Sequence, residues 1–330
     1  MLNAVVTAAK GSALRALGGR AWIDLKLRAI TRGRALTILN LHRVAPDDAS
    51  SYPPLQPDLF EYLLVFLKQH FHFVTFASMR EPSPSGLSKL ILSFDDGYAD
   101  FAEFAAPLLA RHGVRVNHNI IPACVESGLP PLNVLMQDFI GRASIHALRN
   151  LDVPGFGFDP GRMRRSEIGR RLSMFLKNRP IAEQSELAKI LLPQVAKEAD
   201  FKPTRMMSLD QIREMALTHE VGAHSFEHAS LGEETDQYAR NDVDRCKQWF
   251  AEKLSRPMAI YAVPNGSYRR SQIEILRHAG MQHILLVDED FSSPDCDVHK
   301  RFTFGAHSPH QARFKATGGL RWPRKDASCP

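Results

Sequence analysis

Short apolar runs alternate with longer stretches whose apolar positions recur at helical spacing, and this alternation begins at residue 35. The short runs predict strands at 35–41, 90–94, 114–121, 220–223, 259–263 and 284–287. The longer stretches predict helices at 57–70, 101–112, 209–218, 235–254 and 271–279. Strands that alternate with helices of this length belong to a parallel sheet with helices outside, either open or closed into a barrel. Cap signals sharpen two helix starts: Ser208 precedes Leu209, and Ser271 precedes a run that Gly280 closes. No internal repeat is present.

The alternation breaks between about Val125 and Pro203. That stretch opens with Gly128-Leu129-Pro130-Pro131, passes a turn-rich segment from Pro154 to Gly161, and otherwise reads as helices at 166–177 and 181–197. It is expected to be a helical insertion, residues 125–204, between two strands of an α/β unit that spans 35–330. Residues 1–34 form a basic N-terminal helical segment ahead of it. Beyond Gly305 periodicity is weak, and the chain from Arg321 to Pro330 is expected to fray.

Composition narrows the class. The 330 residues are 44% hydrophobic and 24% charged, the balance of a globular protein rather than a disordered or fibrous one. No apolar run approaches the ~18 residues of a spanning helix. Lys10, Arg15 and Arg20 interrupt any apolar signal core, so a cytoplasmic protein, membrane-peripheral at most, is expected. Cys124, Cys246, Cys296 and Cys329 are far apart, which argues against a disulfide scaffold and for reduced thiols. The net charge is +6, and residues 142–205 alone hold 13 Lys/Arg against 7 Asp/Glu. That patch could recruit an anionic or lipid-linked substrate, or be a solvated helix face. Neither basic segment interleaves aromatics with its charges, so nucleic acid is not an expected partner.

Two segments carry chemistry. In Leu90-Ile91-Leu92-Ser93-Phe94-Asp95-Asp96-Gly97-Tyr98 an apolar strand ends in adjacent carboxylates and a glycine. In parallel α/β folds such strand ends form the active-site rim. Different surroundings there would let one Asp bind a metal while the other handles protons. An Asp-Asp-Gly turn is, by itself, also a common loop sequence. In Val221-Gly222-Ala223-His224-Ser225-Phe226-Glu227-His228 a second strand leads into two histidines four apart. A helical turn starting there would put both imidazoles on one side. Two histidines and one carboxylate make a three-ligand site open to water, the composition of a hydrolytic metal centre. A third strand ends in Val263-Pro264-Asn265-Gly266, a rigid turn on the same rim.

The order Phe-Asp-Asp-Gly, His-Ser-x-x-His, x-Pro-x-Gly resembles the polysaccharide deacetylases of carbohydrate esterase family 4, the NodB homology domain. Asn40-Leu41-His42-Arg43-Val44 is similar to the Tyr-His-Arg-Val segment on the first strand of many bacterial members. The resemblance implies a distorted (β/α) barrel that hydrolyses N-acetyl groups of an N-acetylated carbohydrate. It implies Asp95 as general base and Asp96, His224 and His228 as ligands of one divalent metal, usually zinc. The oxyanion would be held by the metal and by the backbone N–H of Asn265, which follows Pro264. His42 and Tyr98 are further site-lining candidates.

Two departures stand out. Ala262 occupies the place where the family carries an arginine that orients the catalytic Asp. The late Leu-x-His motif, source of the general acid, is absent: Leu285-Leu286-Val287-Asp288 has Val there. His283, His299 and His307 are substitutes by type only. These departures motivate an alternative, an impaired deacetylase-like protein that binds sugar without hydrolysing it, and a further one, hydrolysis of a small amide outside carbohydrate metabolism.

Overall fold

The computed structural model describes residues 16–84 and 86–324; most of the basic stretch before Arg20 and the expected frayed end from 325 lie outside the described residues. The first part of the chain forms α1 (Arg20–Arg32), β1 (Thr37–Leu41), α2 (Pro57–His70), β2 (Phe71–Phe73) and β3 (Ser88–Phe94). A π-helical turn (Phe101–Ala105) runs into α3 (Ala106–His112), and β4 (Asn117–Ile120) follows. Five helices come next: α4 (Pro122–Ser127), α5 (Leu132–Arg142), α6 (Ile145–Asn150), α7 (Arg165–Lys177) and α8 (Ile181–Val195). Regular alternation resumes with α9 (Leu209–Met215), β5 (Glu220–Ala223), α10 (Asp236–Leu254), β6 (Ile260–Ala262) and α11 (Arg270–His278). The chain closes with β7 (His283–Leu286), β8 (Val298–Lys300), β9 (Phe302–Thr303) and α12 (Pro309–Ala316).

All named strand pairings are parallel, in the order β8-β7-β6-β5-β4-β3-β1-β9, with β2 beside the start of β3. One residue, Arg301, separates β8 from β9. Because β8 pairs with β7 and β9 pairs with β1, the sheet curls until its last strand bridges its two edges. The expected barrel is therefore the observed one. β4 and β5 are direct neighbours although 99 residues separate Ile120 from Glu220, and that long connection is helical. It has its own apolar core, built on Met136, Phe139, Ile140, Ile168, Leu172, Leu176 and Leu191.

Strand alternation gives the barrel two internal layers. Ile38, Ile91, Ile260 and Leu285 form an apolar plug with Phe76 and Met79. Two residues further along, the same faces carry Asn40 and Ser93, beside Asn117 and Asn119 of β4, all buried. A polar layer this deep is held by hydrogen bonding; most of its bonds converge on one carboxylate, described below, while Asn40 Nδ2 has no partner.

Three expectations about the fold need correction. The region past Gly305 is not irregular: Ser308 caps α12 by accepting from the Gln311 N–H. The helix expected from Ser271 instead begins at Arg270. Cys296 is disulfide-bonded, whereas Cys124 and Cys246 are buried free thiols, so a wholly reduced set of cysteines is not what the fold contains. Short strands β2 and β8 escaped the sequence reading because three residues carry no measurable period.

Candidate metal centre

The register of the parallel strands sets the site. Leu41 pairs with Phe94, and Ile120 and Tyr261 each pair with Ala223. The residues that follow, His42, Asp95, Asp96 and His224, therefore leave the barrel at its C-terminal rim. Asp96 is buried and has a positive φ of 79°, a conformation that side-chain-bearing residues rarely adopt. Ser225 (φ 58°) and His228 (φ 63°) share that strain. Such strain persists where the surroundings over-determine it.

Here the surroundings are visible. The carboxylate of buried Asp242 on α10 accepts from the Ser225 hydroxyl at 2.9 Å, the Phe226 N–H at 3.0 Å and the Tyr261 hydroxyl at 2.5 Å. Ser225 in turn accepts from the Ala229 N–H at 3.0 Å. The segment from His224 to His228 is thus a clamped loop and not the expected helical turn. Its left-handed residues bring the two imidazoles together, with ring centroids 5.0 Å apart.

Asp96, His224 and His228 offer one ligand atom each within 4.8 Å of one another. Nε2 of His224 lies 3.4 Å, and Nε2 of His228 3.5 Å, from Asp96 Oδ1. That oxygen is buried and accepts no hydrogen bond, while its twin Oδ2 accepts from the Tyr98 hydroxyl at 2.8 Å. Burial beside Asp96 pushes the Tyr98 phenol well above its ordinary range, so it stays a donor. His224 Nδ1 lies 3.0 Å from the Ala262 carbonyl, which selects the tautomer with a bare Nε2. Burial lowers His228 to about 3, leaving its imidazole neutral as a ligand must be. An orphaned carboxylate oxygen facing two imidazole nitrogens fits a divalent cation with open coordination positions.

Asp95 faces a different fate. Burial alone would raise its pKa, but the Arg301 guanidinium holds the carboxyl well below the usual carboxylate range. Arg301 Nη1 donates to Asp95 Oδ1 at 2.8 Å and Nη2 donates to Oδ2 at 2.9 Å. The same guanidinium donates to Asn40 Oδ1 at 3.0 Å and to Ser93 Oγ at 2.9 Å. Asn119 Nδ2 adds a bond to Asp95 Oδ1 at 2.8 Å. The missing arginine is therefore supplied from elsewhere. Ala262 joins the apolar plug beside Leu285, and the guanidinium arrives from the junction of β8 and β9. Gly222 makes room for this network, since a Cβ there would lie 2.4 Å from Asn119 Oδ1.

The remaining candidates separate cleanly. His42 follows β1, and its ring meets Tyr52 edge-on at 6.2 Å. It lies within electrostatic reach of Asp96, Asp95 and His224, and burial lowers its pKa. Pro264 and Asn265 form the turn after β6, where Asn265 donates to Ser230 Oγ at 2.9 Å. His283 and His299 are not at this rim. His283 starts β7, where its Nδ1 lies 3.1 Å from His299 Nε2, against Phe76 at the other end of the barrel. His307 is exposed ahead of α12.

Sequence reasoning missed Arg301, Asn119 and Asp242. The alternating Asn117 and Asn119 inside an apolar strand were the available signal for a polar interior. Nothing marked Arg301 among 42 basic residues.

Residues 173–284 match the sequence model described as polysaccharide deacetylase, a span that includes both histidines and Pro264 but not the Asp-Asp-Gly motif. No curated protein sequence matches the chain. Among solved structures, the deacetylase PplD of Streptococcus pyogenes, in complex with acetate, superposes with a TM-score of 0.55 at 15% identity, over 84% of this chain and 96% of that one. IcaB from Ammonifex degensii gives 0.55 at 18% identity, over 86% and 97%. BC0361, a polysaccharide deacetylase from Bacillus cereus, gives 0.53 at 12% identity, over 86% and 69%. At these identities the likeness shows the fold, and with the sequence match it bears out the resemblance read from the motifs.

Proposed function

We propose that this polysaccharide deacetylase-type barrel hydrolyses the N-acetyl group of an N-acetylated carbohydrate, using one divalent ion held by Asp96, His224 and His228. One observation carries the reading: the unpartnered Asp96 Oδ1 faces two imidazole nitrogens next to a second carboxylate that Arg301 keeps ionised. The nitrogen-rich, three-ligand donor set suits zinc. When bound, such an ion lowers the pKa of its water and polarises the acetyl carbonyl.

The chain's own groups divide the remaining work. Asp95 accepts the proton of the attacking water, its lone pairs aimed by Arg301 and Asn119. In this reading the backbone N–H of Asn265 donates to the developing oxyanion. His42, which follows β1 on the rim within electrostatic reach of Asp95, Asp96 and His224, is the candidate to pass a proton to the departing amine. Its loop is fixed by Arg43, which donates to Asp100 and to Asp48, each at 2.8 Å.

The impaired-enzyme alternative rested on Ala262 and the absent late histidine. Arg301 brings a guanidinium to Asp95 from the junction of β8 and β9, which favours hydrolysis; His42 is the proposed stand-in for the late histidine. Among the described residues no helix is long and apolar enough to cross a membrane; a cytoplasmic, at most membrane-peripheral, setting is part of this proposal.

Two results are expected. Replacing His228 by Ala removes most bound metal, read by elemental analysis of the purified protein, because one of three ligands is lost; full occupancy in that variant would refute the ligand assignment. Incubation of the zinc-loaded protein with a panel of N-acetylated oligosaccharides releases acetate, and chelation abolishes it. A panel with no acetate release would leave the proposed activity without support.

A further inference from the structure

We propose that Lys177 builds an anion subsite at this centre, so that the substrate is an N-acetylated sugar bearing a phosphate ester; the inference rests on the deacetylase reading above. Lys177 is the last residue of α7, and its position is imposed by packing. Ile168, Leu172 and Leu176 of the same helix are buried in the core of the inserted helices. Gly169 lies so close to the loop after β1 that a Cβ would meet Ser51 Oγ at 1.9 Å. Arg165 Nη1 donates to the carbonyls of Ile140, Gly141 and Ala143 at 3.0, 2.8 and 2.8 Å, closing the end of α5. Asp48 accepts from both Arg43, the neighbour of His42, and Arg142 of α5, which ties these helices to the rim.

So held, the half-buried Lys177 ammonium lies within electrostatic reach of Asp96, His42 and His228. Among the described residues it has neither a hydrogen-bond nor an ion-pair partner. Of the rim carboxylates, Asp95 is held by Arg301 and Asp96 Oδ2 by Tyr98; Asp96 Oδ1 faces the two histidines and would be taken by the ion they hold. A partly desolvated cation with no direct partner is costly, and the cost is recovered when an anion fills the gap. A lone ammonium serves a phosphate, rich in oxygens, better than a planar carboxylate, which is matched by a guanidinium fork.

The basic excess of residues 142–205 thus has one member that reaches the chemistry. Arg165 is structural, and the Arg170 and Arg171 side chains meet the sulfurs of Met174 and Met163 on the exposed face. The competing account is a lysine that merely complements the C-terminal dipole of α7. It predicts no substrate preference.

The test compares N-acetylglucosamine 1-phosphate with the neutral methyl glycoside of N-acetylglucosamine. Wild-type protein should favour the phosphate probe in kcat/KM, and also in calorimetric binding to the metal-free protein. Lys177→Met should cut that preference by about tenfold or more, the worth of a charged hydrogen bond, mainly through KM, and Lys177→Arg should keep part of it. An unchanged preference in Lys177→Met overturns the subsite. Should that variant fail to fold, the wild-type preference must still fall as salt rises from roughly 50 to 300 mM, and a flat dependence overturns it equally. A polyprenyl-diphosphate-linked N-acetylglucosamine in detergent, run alongside, separates a lipid-borne from a free sugar phosphate. Phosphate binding that depends on Lys177 without acetate release from either probe would instead sink the deacetylase reading.

Discussion

Replacing Asp95 by Asn is expected to lower acetate release by about 10²–10⁴ while the divalent ion stays bound, the usual effect of losing a general base. The amide keeps the shape of the carboxylate and can still meet Asn119, but it cannot take a proton from water. Asp96, His224 and His228 are untouched, so elemental analysis should find wild-type occupancy. The variant should also melt earlier. Arg301 is fully buried, and stripping a buried pair of one partner typically costs about 3–5 kcal/mol. Rates therefore need to be compared well below the melting temperature of the variant. Unchanged acetate release would remove Asp95 from the mechanism.

Arg301→Met should have the second-largest effect, and through two separable routes. Stability falls by a comparable ~3–5 kcal/mol, because Asp95 is then the uncompensated buried charge. In the parent the Asp95 pKa is depressed on folding. Its stabilising contribution is accordingly complete above the ordinary Asp value near 4 and is lost as pH falls below it. Without the guanidinium, burial dominates and raises the Asp95 pKa. The acid limb of the kcat/KM profile should then move to higher pH. Arg301→Lys should restore part of the charge without the two-pronged geometry, and so rescue stability better than rate. A variant that lost stability with an unshifted pH profile would show Arg301 to be structural only.

Much of the site was legible because its residues sit at strand ends, where a short apolar run stops and polar residues begin. Phe94-Asp95-Asp96-Gly97 and the two histidines were found on that basis. The barrel followed from the alternation of strands and helices, and closure could not, since β8 and β9 total five residues and are joined by a charged one. The sequence could not separate a helical turn from a clamped loop at His224, because i,i+4 spacing looks the same in both. Only the backbone reveals the left-handed Ser225 and His228. Arg301 was invisible for a related reason. It is 206 residues from Asp95 along the chain, and a single sequence holds no record of which arginine crosses a barrel. The vacancy at Ala262 could be read, but not what fills it. Lys177 was hidden in the same way, one cation among the 13 between residues 142 and 205.

The central claim, a hydrolytic metal centre at the barrel rim, is tested most directly by running the zinc-loaded protein on an N-acetylated oligosaccharide in ¹⁸O-labelled water. Mass spectrometry should find one labelled oxygen in the released acetate and a free amine left on the sugar, with neither product formed after chelation. Unlabelled acetate, or labelled acetate that persists in the fully chelated protein, would contradict the account.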